Sequence, residues 1–189
     1  MCFSLEVSVG SFVFCWAVAI YLLTKKLTVH QKQSIIFLMI FSTMQIPDAI
    51  LWYIGMKKNS INYFVTSFLI PFILSLQVLY NIYIKNKLNS PIVDVGVVLA
   101  IVYMFIRFNG YSVSSACNGK LSSPIWGSRE IQFWELALFA FVIIYPNWKL
   151  TLFTILVVFP IIMKLSGGGY GSLWCAISTF VSIYYLVTY

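Results

Sequence analysis

Residues 34–55 read SIIFLMIFSTMQIPDAILWYIG, an apolar run in which Asp48 is the one charged residue. A helix needs about 20 mostly apolar residues to cross a bilayer, and this run is long enough. An ionisable side chain inside such a span costs about 2.5–3.5 kcal/mol or more, so it normally faces the interior of a bundle or a wet cavity. The run therefore predicts a membrane-spanning helix that carries a buried acid.

The composition of the whole chain agrees with this prediction. Of its 189 residues, 61% are hydrophobic, 18% aromatic and 9% charged, and the mean hydropathy is +0.92. Soluble domains carry about 25% charged residues, so a soluble enzyme, a nucleic-acid-binding domain and a disordered regulator are excluded. The net charge of +7 is then read as lysines that flank apolar spans and fix topology. The expected partner is the lipid bilayer, and no nucleic-acid partner is expected.

The same length criterion predicts an all-α, polytopic transmembrane helix bundle with about seven spans in a single integral membrane domain. The longest polar stretch, 108–130, separates the fourth span from the fifth and gives a 3+1+3 arrangement, which several transporters build from two repeats. Residues 1–84 and 131–189 show no clear self-similarity, so the repeat stays open. The first span is expected to insert uncleaved, and the short fifth and sixth spans can form a tight hairpin or a tilted pair. The predicted spans are 7–24, 34–55, 61–84, 91–107, 131–146, 150–164 and 172–189.

Seven spans divide the loops between two sides. Side A holds the N-terminus, the loop near residue 58, the long loop 108–130 and the glycine run 167–171. Side B holds the loops 25–33, 85–90 and 147–149 and the C-terminus. The 12 Lys and Arg residues divide equally between the sides, but the first loop usually weighs most and is the densest in lysine. We therefore expect side B in the cytoplasm and a non-cytoplasmic N-terminus.

The second span also carries a set of polar side chains on one face. Gln45, Asp48 and Trp52 are spaced i, i+3 and i+7, which places them on one side of a helix. Pro47 removes a backbone hydrogen bond there and is expected to kink the helix. A kinked helix with a carboxylate beside the kink is one way to build a polar pocket.

Further charged residues fall in the side-A half of the predicted bundle. Glu135 lies early in the fifth span, Lys164 closes the sixth, and Arg107 ends the fourth. One interpretation is a polar cavity open to side A and roofed by the loop 108–130, with Asp48, Glu135 and Lys164 as its polar site. Gln45 and Trp52 would line it, and Asp48 would be the ion- or proton-coupling group. The other interpretation is an ion-pair network, such as Lys164 with Asp48 or Glu135, that only holds helices together.

The cysteines and the single histidine argue against a metal site. A zinc site needs three or four converging N or S ligands, whereas Cys2, Cys15, Cys117 and Cys175 are scattered and His30 is the one histidine. We expect no metal and no cofactor. Cys2 and Cys117 both fall on side A and would form a disulfide if that side is oxidising. Free thiols, or a palmitoylated Cys2, are the alternatives.

Three short stretches resemble an uncharacterised family of small multi-pass membrane proteins. They are Met1-Cys2-Phe3-Ser4 followed by Ser8, Gln45…Asp48…Leu51-Trp52, and Gly171-Ser172-Leu173-Trp174-Cys175. The family begins Met-Cys-Phe/Trp-Ser and has members in bacteria, protists and large DNA viruses. It has no assigned activity, so the resemblance transfers no catalytic residue. It implies that Cys2, Asp48 and the 171–175 turn matter together, and the lysine-rich composition suits a viral or protist member.

These patterns support three functions of different classes. The first is a membrane protein that binds or translocates a small solute, ion or lipid through the polar cavity on side A. The second is a structural or assembly protein whose intramembrane charges only lock helices. The third is an intramembrane enzyme, which ranks last because the spans contain no histidine and no Ser-His pair. The chain is accordingly expected not to be an enzyme.

Overall fold

The computed structural model describes residues 4–114, 124–165 and 173–189. Within them the protein is mostly helical, at 78%, and contains seven helices, which confirms the all-α prediction. The first three helices are long and apolar enough to cross a membrane. The helices are α1 (Leu5–Leu23), α2 (Val29–Tyr53), α3 (Ser60–Lys85), α4 (Pro91–Arg107), α5 (Phe133–Ile144), α6 (148–165) and α7 (Leu173–Thr188).

Prolines interrupt three of these helices. α2 breaks at Thr43 and Met44 into Val29–Ser42 and Gln45–Tyr53, three to four residues before Pro47. Proline lacks a backbone N–H and clashes with the carbonyl of residue i−4, so the expected kink lies at this point. Pro71 in α3 and Pro160 in α6 each follow a π-helical turn, at Val65–Leu69 and Thr154–Val158 respectively.

The main apolar core lies between α2, α3, α4 and α5. Among its fully buried members are Leu51, Leu74, Met104 and Leu136. A smaller cluster of Val18, Ala19, Leu22 and Ile35 joins α1 to the start of α2, and tyrosines at the end of α7 pack against it. The bundle therefore buries one face of each of these helices.

Long apolar side chains cover the outside of the same helices. On α4 and α7 this outer face includes Ile92, Leu99, Ile106, Phe180 and Val187, which are between 64% and 85% exposed. A soluble monomer rarely exposes contiguous apolar surface on this scale. The arrangement suits a lipid environment.

Hydrogen bonds group the loops at two ends of the bundle. At one end, Gln33 donates to the Ile84 carbonyl over 3.2 Å and Asn81 donates to the Tyr145 carbonyl over 2.6 Å. These contacts join the ends of α2, α3 and α5 that border the loops assigned to side B by the sequence. At the other end, Ser112 is bonded to the start of α3. We keep the names side A and side B for these two ends.

The connection between α4 and α5 contains more structure than the predicted polar loop. A two-residue strand β1 (Val113–Ser114) pairs antiparallel with β2 (Pro124–Ile125), with Val113 opposite Ile125. A 3₁₀ turn, Trp126–Ser128, follows and buries Trp126, which is 3% exposed. This part of the connection therefore inserts into the side-A end of the bundle.

Candidate functional site

Glu135 is the centre of a buried charged cluster at side A. It lies in the first turn of α5, where its Oε2 accepts a hydrogen bond from the Gln132 backbone N–H over 2.7 Å and so caps the helix. Its Oε1 accepts from Arg107 Nε (2.5 Å), Tyr103 Oη (2.7 Å) and Arg129 (2.9 Å). The carboxylate is fully buried, and these four donors fill both of its oxygens.

The partners of Glu135 come from one face of α4. Tyr103 and Arg107 are four residues apart, so both side chains project towards the start of α5. The Arg107 guanidinium also donates to the carbonyls of Arg129 (3.1 Å) and Glu130 (3.2 Å). Arg107 is 6% exposed, and it therefore joins the end of α4 to the chain that returns from the long connection.

Gly127 allows this return segment to approach Arg107 closely. Its φ is +74°, and a Cβ placed there would lie 3.0 Å from the Arg107 carbonyl oxygen and 3.1 Å from its guanidinium. Both the left-handed backbone and the contact require glycine.

We expect Gly127→Ala to lower the free energy of unfolding by about 1–3 kcal/mol more than Gly55→Ala. Gly55 is the matched control because its φ is +59° but nothing lies within 4 Å of its Cβ position. Both glycines have a positive φ, so both variants add strain of the same kind, and the difference between them reports the contact with Arg107. Chemical denaturation in detergent micelles measures it, and equal losses would show that the contact is not tight.

Asp48 contacts the same connection from α2. Its Oδ1 accepts a hydrogen bond from Trp126 Nε1 over 2.9 Å, and Asp48 is 1% exposed. The Trp126 ring packs edge-on against Phe108 with centroids 5.9 Å apart. The acid beside the kink is thus used to hold an inserted tryptophan.

Three further polar residues attach the beginning of the connection to α3. The Ser112 backbone N–H donates to Asn62 Oδ1 over 2.8 Å, and Asn62 Nδ2 donates back to the Ser112 carbonyl over 3.0 Å. The hydroxyls of Thr66 and Ser112 lie 2.7 Å apart. All three residues are fully buried, so specific polar contacts hold the beginning of the connection to α3.

Gln45 and Trp52 occupy the same half of α2 as Asp48 but have different surroundings. Gln45 Nε2 donates to the Ser178 hydroxyl on α7 over 2.5 Å. Within the described part of the chain, Gln45 Oε1 and Trp52 Nε1 are buried without a hydrogen-bond partner. Trp52 itself is half-buried against the main core. Gln45, Asp48 and Trp52 therefore contact different elements.

Lys164 does not join Asp48 or Glu135. It lies exposed in the last turn of α6, and both ion pairs found among the described residues are made by Glu135 with Arg107 and Arg129. The predicted pairing of Lys164 with an acid is therefore not seen. The proposed disulfide partners, Cys2 and Cys117, lie outside the described residues.

Sequence reasoning also missed several members of the cluster. The i, i+4 spacing of Tyr103 with Arg107 is the sequence signal that could have indicated Tyr103. Trp126 carries no such signal, since it lies between Ile125 and Gly127 in a stretch without periodic apolar residues. Across the described ranges, no group of three or more His, Cys, Asp or Glu side chains is arranged to hold a metal ion.

A cavity of about 530 Å³ lies towards side B, between α2, α3, α5, α6 and α7. The sequence predicted a cavity at the opposite end. Its inner wall is apolar and includes Phe41, Ile143, Phe159 and Val181. Polar side chains line it where helices begin or end at side B, and they include His30, Lys85, Asn86 and Asn147.

The volume and the mostly apolar lining of this cavity lie within the range found at small-molecule sites. Such sites typically enclose roughly 300–1,000 Å³ and are mostly apolar with a few polar groups at fixed positions. Comparisons of the chain with protein-family models, with curated proteins and with solved structures find no match.

Proposed function

We propose that this chain is a multi-pass integral membrane protein that binds a small amphipathic molecule in the side-B cavity. The observation that carries the proposal is the cavity itself, about 530 Å³ in volume, apolar inside and polar at one end. A ligand with a hydrocarbon chain and a polar group matches that profile. The polar group would lie near the helix ends and the chain among the apolar side chains.

The proposal includes a membrane crossing by each of the seven helices. Support comes from the length of α1, α2 and α3 and from the exposed apolar faces of α4, α6 and α7. α5 has 12 residues and is about 18 Å long at 1.5 Å per residue, so it crosses only with the segments that flank it. Side B would face the cytoplasm, as the lysine-rich first loop indicates.

The side-A cluster has a structural role in this proposal. Glu135 receives four hydrogen bonds and Asp48 binds Trp126, so both acids hold the long connection against the helices. In this proposal the binding site lies at side B. One interpretation of the sequence placed it at Asp48, Glu135 and Lys164 on side A. The proposal assigns no catalytic step to any residue.

A purely structural or assembly protein is the second candidate function. It is favoured by the hydrogen bonds of Glu135, because a fully hydrogen-bonded buried carboxylate needs no ligand. The two candidate functions make different predictions for the side-B cavity, because an assembly protein needs no ligand there.

We expect Val181→Trp to abolish most labelling of the protein by a diazirine-bearing long-chain monoacylglycerol. Val181 lines the cavity on α7, so a tryptophan there would occupy the volume that the acyl chain needs. The probe is added to the full chain in phosphatidylcholine nanodiscs, and covalent adduct is quantified by intact-mass spectrometry.

Val187→Trp is the matched control, because Val187 lies on the same helix but is 80% exposed. Its labelling should equal that of the unmodified protein. Ile177→Phe fills the cavity less drastically and should reduce labelling by an intermediate amount. Equal labelling of all four proteins would remove the cavity from the binding role and favour the assembly function.

A further inference from the structure

Lys85 places a positive charge at the polar end of the cavity. It is the last residue of α3, is half-buried, and its Nζ lies 5.2 Å from the centroid of the Phe37 ring. Within the described part of the chain it forms no ion pair, since the ion pairs found there both involve Glu135. A half-buried ammonium group is more stable beside an anion than beside apolar side chains alone.

The described residues around the cavity supply no such anion. Among the described residues that line it, the ionisable ones are His30, Lys85 and Tyr185, and none is a carboxylate. At side B the acid that sequence position places nearby is Asp94, in the first turn of α4. Its Oδ1 accepts a hydrogen bond from Tyr83 over 2.6 Å, and Asp94 does not line the cavity.

The loops and helix ends of side B are strongly cationic as a whole. Apart from Asp94, the acids of the chain belong to the side-A half, where Asp48 and Glu135 are buried. Lysines near a membrane surface attract anionic lipid headgroups. The side-B lysines are Lys25, Lys26, Lys32, Lys85, Lys87 and Lys149.

The part of the rim that carries Lys85 is held by hydrogen bonds. Asn81 Nδ2 donates to the Tyr145 carbonyl over 2.6 Å, and Asn86 Nδ2 donates to the Asn81 carbonyl over 2.8 Å. From α2, Gln33 donates to the Ile84 carbonyl over 3.2 Å. The residues immediately before and after Lys85 are thus fixed to α2 and to the corner between α5 and α6. The backbone at Lys85 is therefore fixed at the rim, and a lysine in that position loses less conformational freedom when a ligand binds.

We infer that the occupant of the cavity is a single-chain lipid with an anionic phosphate headgroup, which Lys85 binds at the rim while the chain lies among the apolar side chains. This inference rests on the proposed function and specifies its ligand class. His30, in the first turn of α2, is exposed at the same rim and adds a second donor for phosphate oxygens.

The experiment compares two lipids that differ only in the charged group. Long-chain lysophosphatidate and the monoacylglycerol with the same chain compete against the diazirine-bearing monoacylglycerol, with the full chain in phosphatidylcholine nanodiscs. We expect Lys85→Gln to weaken lysophosphatidate binding about tenfold, which corresponds to about 1.4 kcal/mol, and to change monoacylglycerol binding less than about twofold. Lys85→Arg should retain most of the preference because it keeps the charge.

Lys87→Gln is the control, because Lys87 is exposed at the same end but does not line the cavity. It should leave both affinities unchanged. An unchanged lysophosphatidate affinity in Lys85→Gln, or an equal loss for both lipids, would overturn the headgroup assignment. Glycerol 3-phosphate is added at matched ionic strength, and displacement as effective as that by lysophosphatidate would indicate a site for a free phosphate ester instead.

Failure of the headgroup inference differs from failure of the proposed function. If monoacylglycerol competes but the lysophosphatidate preference does not depend on Lys85, the proposed function stands and the assignment of the headgroup to Lys85 is wrong. If neither lipid competes with the probe in the unmodified protein, both the inference and the proposed function are wrong.

Discussion

Glu135→Gln should lower the free energy of unfolding by about 3–5 kcal/mol, because it leaves the Arg107 guanidinium buried without its counter-charge. Arg107 is 6% exposed and Glu135 is fully buried, so water cannot replace the carboxylate. The loss is measured by chemical denaturation in detergent micelles. The substitution keeps the shape of the side chain, and the effect therefore reports charge rather than volume.

Glu130→Gln is the matched control, since Glu130 is an exposed acid five residues away. It should change the free energy of unfolding by less than about 0.5 kcal/mol. Adding Arg107→Met to Glu135→Gln should cost clearly less than the sum of the two single changes, because the unpaired charge is then gone. Additive losses would mean that the two residues do not act as a pair.

Trp126→Ala should lower the free energy of unfolding by about 3–5 kcal/mol, the usual cost of deleting a large buried aromatic side chain. Trp126 is 3% exposed, packs against Phe108 and donates its indole N–H to Asp48. Trp126→Phe should lose about 1–3 kcal/mol, since it keeps much of the packing and removes the hydrogen bond to a buried acceptor. The same denaturation measurement separates the two contributions.

Trp134→Ala serves as the control for deleting an indole. Trp134 is 56% exposed and contacts the Tyr103 ring at its edge of the bundle, so its loss should cost about 1 kcal/mol or less. If Trp126→Ala were no more harmful than Trp134→Ala, the long connection would not be held in place by the inserted tryptophan.

The helices were predictable because the length of an apolar run can be read directly from the local sequence. The predicted fourth span, 91–107, coincides with α4, and the other helices begin and end within a few residues of their predicted bounds. The break in α2 was predictable for the same reason, since Pro47 acts on its own preceding turn. Asp48 and Glu135 could be assigned to the side-A end of the bundle from their positions along α2 and α5.

The partners of those acids were not predictable from the sequence. Trp126 reaches Asp48 because the 3₁₀ turn with Gly127 redirects a chain segment that carries no periodic pattern. Lys164 was expected inside, but its position in the last turn of α6 leaves it exposed. Such contacts depend on how distant segments meet, which one-dimensional spacing does not encode.

The cavity was missed for a related reason. Helix periodicity identifies which residues are apolar, but Val181 and Phe159 line a space only because α5, α6 and α7 do not close completely against α2 and α3. Lys85 was interpreted as a topology signal at the end of a span. The role in headgroup binding that we propose for Lys85 depends on its position beside the side-B cavity, and only the three-dimensional packing reveals that position.

Peptide mapping of the labelled, unmodified protein tests most directly whether ligand binding and the buried acids belong to opposite ends of the bundle. The diazirine-bearing monoacylglycerol is crosslinked in nanodiscs, and the modified residues are located by tandem mass spectrometry. We expect adducts in α5, α6 and α7 at residues that line the side-B cavity, such as Ile143, Phe159 and Val181. Adducts concentrated at Asp48 and Glu135 would contradict this assignment and return the binding site to side A.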